Sequence, residues 1–575
     1  MSLSIGLDTA VKALRAHQLA VDVASHNIAN VQTPGFSRQR VLLRPIGITN
    51  ADRSSSDSLL GRAGMGVDAS DVRRMRDIFL DFQARQTLGS KGQYSAYSTP
   101  LSQAEVVFND PSDDGISALL GKFWAAWHDV VNDPESSAAR TALVHSTSTL
   151  TSRLQRAHAD LTQQRTDLNI RVSTIAGQIN SASSEIATLN FQIKQVELNG
   201  DQANDLRDRR DLLLDELSGL AQINYSEQPD KTITVYLGNH ELVTSSTSRD
   251  VASVPDTANT GMYKLIFAGD GTDVTTTTGE LRGVLDARDV QFPAIIARLN
   301  TLAQGFIGSI NSVHQGGYGL DNSTGTPFFT GSDASNFALN AAVAADPRKI
   351  AAATGASQPG NGGQALAIAN LQLAASMIAG TAALNLAVGD SLSAGNSATG
   401  VILGNAVQPG AYFMTANGAN LDLRYGSAAG PVVGTATLSA IAPGNGAITF
   451  VNGATVVATI QVTTAGGYTA AAQQADLLAA GNNTLQVETS PDTFYANLVS
   501  VLGADVNAAQ GLAESSDLLN SHLERLRQST SGVNLDEEVS NMNASQKAYQ
   551  AAARCITTID DMLDTLINRT GMVGR

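Results

Sequence analysis

From Glu135 to Asn199 the chain runs without a proline and with a single glycine, Gly177, and no other stretch constrains the fold as strongly. Leu168, Val172, Ile175, Ile179, Ala182, Ile186, Leu189, Ile193 and Val196 keep 4-3 spacing through it. That spacing predicts a long helix with a coiled-coil seam. Upstream, Leu150, Leu154, Ala157 and Leu161 are also heptad-like, and the two registers join with an extra step near residue 168, a stutter. Gly200 ends the run, and ANDLRDRRDLLLDELSGL (203–220) follows as a second helix. Asp205/Arg209 and Arg207/Asp211 fall at i,i+4 on it and are expected to pair along the helix surface.

Both ends of the chain carry the same period. Residues 3–29 place Leu7, Val11, Leu14, Val21 and Ile28 on one stripe, interrupted by Gln18 and Ser25. Asn30 suits a helix stop, and Thr33-Pro34-Gly35-Phe36 suits a type II turn, with proline second and glycine third. Residues 38–75, rich in Gly, Ser and Arg, read as extended and irregular. At the far end Asn534 can cap a helix with Glu537 as its capping-box partner. That helix carries Leu535, Val539, Met542, Tyr549, Ile556 and Leu563, with Ile559 and Leu566 widening the stripe. Each terminal helix, of about 30 residues and ~45 Å, is the natural partner of the other. Two helices alone leave half of each stripe wet, so the termini are expected to be loose in a monomer and ordered in a polymer. The alternative is that they simply close the core of a monomeric bundle.

Between these helices the period changes to two. KTITVYLGNHELV (231–243) alternates and turns at Gly238-Asn239, a hairpin signal. Helix returns near 285–315, followed by the Gly-rich QGGYGLDNSTGTPFF (315–329), and again from about Phe494 to Gln528. Residues 381–490 hold only five charged residues (Asp390, Asp422, Arg424, Asp476, Glu488) and include GAITFVNGATVVATIQV, a strand, an Asn-Gly turn and a strand. The fold class expected is mainly α with β insertions. Residues 1–34 and 535–575 make a terminal coiled-coil domain; 35–220, 285–320 and 491–534 make a long-helix domain. Residues 221–284 make a β-rich domain, and 321–490 an inserted outer β-rich domain.

Several function classes are disfavoured. With 37 Lys+Arg against 53 Asp+Glu, a net charge of −16, the surface does not suit nucleic acid. One cysteine, Cys555, allows no intrachain disulfide and reads as a small buried hydrophobe beside the seam. No run approaches the ~18 apolar residues of a membrane span. Asp8, Lys12, Arg15 and Asp22 interrupt any signal-peptide core, so export by a cleaved Sec-type leader is not expected. The eight histidines show no ligand spacing; His17 and His26 read as solvated helix face, and no metal or cofactor is expected. AGDGTDV (268–274) is one copy of a calcium-repeat-like string and reads as a turn. Asp536, Glu537 and Glu538 complement a helix N-terminus rather than form a catalytic pair. Arg38, Arg40 and Arg44 are either a solvated loop or a salt-bridge surface toward an adjacent subunit.

HNIANVQTPGFSRQR (26–40) resembles the N-terminal motif of the flagellar rod, hook and hook-associated protein family, with SRQ favouring the hook-associated branch. ANDLRDRRDLLLDELSGL and SGVNLDEEVSNMNASQKAYQAAARCITTIDDMLDTLIN (531–568) are similar to segments of the branch at the hook–filament junction. GELRGVLDARDVQFP (279–293) and the pattern Ile310, Asn311, His314, Gly317 add weaker likeness. Two positions depart: His26 stands where the family usually has Asn, and Phe36 where the hook-associated branch often has Tyr. The resemblance implies a structural, non-enzymatic part of the bacterial flagellum: a junction ring of subunits between hook and filament. It implies assembly through the terminal helices after export by the type III apparatus, and a cytoplasmic chaperone on the C-terminal helix. Partners would be further copies of itself, the hook protein and a second hook-associated junction protein. The assembly interface would comprise the stripe residues given above with Arg38 and Arg40. Two other readings stay open: the hook protein or another axial rod or hook protein, and, remotely, a peptidoglycan hydrolase housed in 381–490.

Overall fold

The computed structural model describes residues 2–46, 66–198, 200–373 and 490–565, and between 397 and 487 the strands with parts of their connections. Its eleven described α-helices and small antiparallel sheets bear out a mainly α chain with β insertions. Contacts divide it into two compact units, Met1–Ser98, Asn169–Asp286 and Ala509–Arg575 in one, and Thr99–Leu168 and Ala287–Ala508 in the other.

In the first unit, helix α1 (Ser2–Ala29) packs against a hairpin of β1 (Gln39–Pro45) and β2 (Val67–Arg74). The stretch expected to be irregular therefore holds a two-stranded sheet at its ends. Helix α2 (Ile78–Phe108) begins in this unit, and α3 (Ile116–Asn132) lies in the other. Neither was read as helix, although Ile116, Leu119, Leu120, Phe123, Trp127 and Val130 of α3 keep helical spacing. In α2, Gly89, Gly92 and a run of Ser, Thr and Gln blur any apolar stripe, and Pro100 sits inside it. Those small residues serve contact: a Cβ on Gly92 would collide with the carbonyl oxygen of Gly219.

Helix α4 (Ser137–Leu198) is continuous. Its seam is buried from Leu150 through Leu161 and Val172 to Ile193. The stutter at Leu168 coincides with the point where the chain passes from one unit to the other. Gly200 ends the helix at φ 89°, a left-handed conformation that L-residues avoid. Gly200→Ala is expected to destabilise the turn into α5 (Asn204–Leu220) by about 1–2 kcal/mol in denaturant melts. A loss below about 0.3 kcal/mol would show that the turn relaxes freely.

The i,i+4 pairs expected on α5 do not form. Arg209 binds Glu185 at 2.7 Å, Arg207 binds Glu197 and Glu227, and Asp211 faces arginines outside its own helix. Two carboxylates at Arg207 and three guanidinium groups at Asp211, all outside α5, outcompete one exposed, flexible pair along a helix, and Arg209 exchanges its expected partner for Glu185 of α4. A four-stranded sheet follows, β3 (Ile223–Glu227), β4 (Ile233–Leu237), β5 (His240–Thr244) and β6 (Thr247–Ser248), turning at Gly238-Asn239 with Leu237 opposite His240. The hairpin β7 (Val251–Asp256) and β8 (Met262–Phe267) and helix α6 (Glu280–Asp286) complete the insertion. AGDGTDV is the turn that leaves β8.

The second unit is organised around aromatics. Phe123 and Trp124 of α3 meet Phe306 of α7 (Phe292–His314), with Trp124 stacked on Phe306 at 5.7 Å, while Trp127 meets Phe123 and Phe328. Phe328, Phe329 and Phe337 close the cluster. Hairpin β9 (Phe329–Thr330) and β10 (Ala338–Leu339) and the short helices α8 (Ala341–Ala345) and α9 (Gly363–Ala369) follow. Between 397 and 487, β11 (Ser397–Leu403), β12 (Gly410–Asn417), β13 (Asn420–Tyr425), β14 (Val432–Ala436), β15 (Gly444–Asn452), β16 (Thr455–Thr464) and β17 (Thr484–Val487) form one antiparallel sheet in the order β11-β16-β15-β14-β13-β12-β17. Helix α10 (Pro491–Ser531) buries Phe494, Leu498, Leu502 and Val506 here. It runs on into the first unit, where α11 (Leu535–Asp564) follows it.

Candidate assembly site

Helices α1 and α11 pack against one another in antiparallel fashion. The Ile559 methyl lies 3.4 Å from where a Gly6 Cβ would stand, and Ser25 Oγ is 3.9 Å from Met542 Sδ. Their polar end is a clamp centred on Asn27, which is fully buried. Asn27 Oδ1 accepts from the Gln39 backbone N–H at 2.9 Å, and Nδ2 donates to the Gln39 carbonyl at 2.8 Å. Nδ2 also donates to Glu538 Oε2 at 3.0 Å. One side chain thus joins α1, β1 and α11, and satisfies a backbone pair that would otherwise be buried without partners.

Arg38 completes the clamp from the other side. Its Nε is 2.6 Å from Glu538 Oε1 and its Nη2 2.9 Å from Glu537 Oε1, and its backbone N–H donates to the Ser531 carbonyl. The hydrogen bond to Glu537 outweighs desolvation and raises the guanidinium pKa, and the same bond lowers that of Glu537. Asn534 caps α11 as expected, accepting from the N–H groups of Asp536 and Glu537. The Glu537 side chain does not close a capping box; it is taken by Arg38.

The turn after α1 is fixed by α5. Asp208 accepts from the Ser37 N–H at 2.8 Å and the Ser37 hydroxyl at 2.7 Å, and meets Arg74 at 2.7 Å. Asp211 is surrounded by Arg74, Arg76 and Arg85, Asp215 by Arg85 and Arg527, and Asp81 by Arg76 and Arg527. Four arginines and four aspartates thus interlock β2, α2, α5 and α10. Burial alone would push Asp211 up, but Arg76, Arg74 and Arg85 together hold it far below the usual carboxylate range. At Asp208 burial outweighs Arg74 and Ser37, and its pKa lies above the ordinary value.

Among the stripe residues, Leu7, Val11, Leu14, Val21 and Ile28 of α1 are half-buried. Met542, Ile556, Ile559 and Leu563 of α11 are likewise half-buried, whereas Leu535, Val539 and Tyr549 are 47%, 42% and 36% exposed. Leu566 lies outside the described residues. Arg38 finds its carboxylates within its own chain, while Arg40 on β1 is exposed. Cys555, expected to be buried, is exposed, because it falls on the face turned away from α1. His26 keeps 41% of its side chain in solvent and also packs edge-on against Phe36 at 5.4 Å, 3.4 Å from Asp205. The two positions that depart from the family pattern are therefore contact partners. Asn27, Ser37, Gln39 and Asp208 escaped the sequence reading, and Asp211 and Glu538 were read there in other roles. Asp205, Asp208, Asp211 and Asp215 at intervals of three and four were the available signal, one acidic stripe on α5.

Among the described residues, no group of three or more His, Cys, Asp or Glu is placed to hold a metal, and no helix is long and apolar enough to cross a membrane. Fold and clamp together define a mainly α protein whose first and last described helices form one structural element. Residues 101–329 match the flagellar hook-associated protein FlgK helical domain, 7–36 the flagella basal body rod protein, and 527–569 the flagellar basal body rod FlgEFG protein C-terminal. The chain is 27% identical to flagellar hook-associated protein 1 of Bacillus subtilis over 100% of both chains. It is 25% identical to the protein of that name from Escherichia coli over 98% of this chain and 99% of the relative. The solved flagellar hook junction protein FlgK from Burkholderia pseudomallei covers 78% of this chain and 100% of its own, at 17% identity and a TM-score of 0.48. The chain is similar along its length to flagellar hook-associated protein 1 and is a structural component of the bacterial flagellum.

Proposed function

We propose that this chain forms the ring of subunits that joins hook to filament, assembling through its paired terminal helices. The observation that carries the reading is the Asn27–Glu538–Arg38 clamp, where the two most family-like motifs, about 500 residues apart, interlock. The exposed Leu535, Val539 and Tyr549 then face neighbouring subunits, and Arg40 offers them a cation. The remaining described stripe residues, Leu7, Val11, Leu14, Val21, Ile28, Met542, Ile556, Ile559 and Leu563, hold the pair together. The ring contacts hook protein on one side and a second hook-associated protein on the other. The chain reaches that place by type III export, escorted by a chaperone on its C-terminal helix, and it has no enzymatic role. The four-part domain division belongs to the same proposal.

A deletion strain tests the reading. It should make hooks without filaments and shed filament protein into the medium; intact filaments would overturn it. A hook protein, the rival reading, would instead polymerise into long tubes in vitro. Replacing Leu535, Val539 and Tyr549 together by aspartate should leave the circular dichroism of the purified chain unchanged. The same variant should fail to restore swimming in the deletion strain, and full complementation would exclude this stripe from the interface.

A further inference from the structure

His314, at the end of α7, is 1% exposed and uses both ring nitrogens. Nδ1 lies 2.8 Å from the Thr326 carbonyl, to which it donates, so Nε2 is left as the acceptor for the Ala351 N–H at 2.9 Å. Only the neutral ring in one tautomer serves both contacts. The segment it holds is also held by Arg140 of α4, which donates to the carbonyls of Ile350 at 2.7 Å and Pro347 at 3.3 Å. A bridge between Tyr318 and Ala353 pairs this segment with the loop after α7. The histidine and the arginine thus lock 347–353 onto the helix end.

The surroundings oppose a positive charge on the ring. Trp127 of α3 and Phe328 supply its ring contacts, at 6.5 and 5.2 Å, and neither is charged. The cation near it is Arg140, whose influence disfavours protonation. Asp321, the carboxylate near Arg140, is engaged by Lys349 at 3.1 Å. Helix α9 brings Gln364, which donates to the Val313 carbonyl. A second ring proton would point an N–H at the N–H of Ala351, two donors facing with no acceptor between them.

We propose that His314 is an acid-operated latch: when the imidazole takes its second proton, 347–353 is released from the end of α7 and this lobe opens locally while the aromatic core holds. Burial and Arg140 bring the imidazole down to about 4 from 6.5. Since the closed form binds fewer protons than the open one, closure is favoured above pH 6.5 and is progressively lost as pH falls to about 4.

Hydrogen exchange on the full chain, corrected for intrinsic rates, tests this at pH about 7.5 and about 4.5. Peptides covering 315–328 and 347–353 should lose protection by roughly 50-fold on acidification, with α3 changing far less. In His314→Gln, an uncharged side chain that can still donate and accept, that step should vanish. An equal step in the variant, or no step in the wild type, would overturn the proposal. If the variant does not fold, the wild type with 13C-labelled histidine still decides. One of the eight histidines should titrate below pH about 5 together with the exchange step, whereas eight midpoints above about 6 would sink it.

Discussion

Asp211→Ala is expected to cost about 3–5 kcal/mol, the largest single loss among these substitutions. The carboxylate is buried among Arg74, Arg76 and Arg85, and its removal leaves three guanidinium groups facing one another. Asp208, Asp81 and Asp215 still offer each arginine one partner, which is why the loss is not larger. Exchange protection of 204–220 in denaturant is the readout, because α5 holds every aspartate of the lattice except Asp81. A loss under about 1 kcal/mol would mean that water compensates the arginines. The pH dependence follows from the same charges. A carboxylate held below its unfolded pKa stabilises the fold above that unfolded value, and the contribution drains away as the medium becomes more acidic.

Asn27→Ala should cost about 3 kcal/mol and act on a different part of the first unit. It removes three hydrogen bonds and strands the Gln39 N–H, the Gln39 carbonyl and one oxygen of Glu538 in a buried place. Protection should fall in α1 and α11 together and stay unchanged in α5. Loss confined to α1 would show that the clamp is not what couples the chain ends. Because the two helices are one element, the variant should also fail to support filament assembly, and an assembled wild-type-like junction would argue against a role for the clamp there.

Helices with a clear period were legible in the sequence. Residues 3–29, α4, α5 and the final helix stand where their spacing put them, and Asn534 caps as its position implied. Helix α2 was not legible, because its glycines and serines are there to let backbones approach, and close approach leaves no periodic apolar signal. Polar residues were misread for a related reason. Spacing along one helix suggests i,i+4 pairs, yet Arg207, Arg209 and Asp211 each found partners on other elements. Cys555 adjoins a seam residue in sequence but is turned about 100° from it on the helix, enough to leave it in solvent.

HNIANVQTPGFSRQR, by itself, determined the end of a helix and a tight turn, since proline, glycine and the helical stripe act within a few residues, whereas the strand that follows read only as extended and irregular. The sequence also determined that the distant C-terminal helix had an apolar stripe to offer it. Only the tertiary structure decided which polar groups make the joint. Asn27 lies among residues that read as helix stripe, and Glu538 among those that read as helix-dipole charges. Their roles depend on Gln39 and Arg38 arriving between them. A buried hydrogen bond is specified by three-dimensional placement to a few tenths of an ångström, whereas hydrophobic burial needs only the right face.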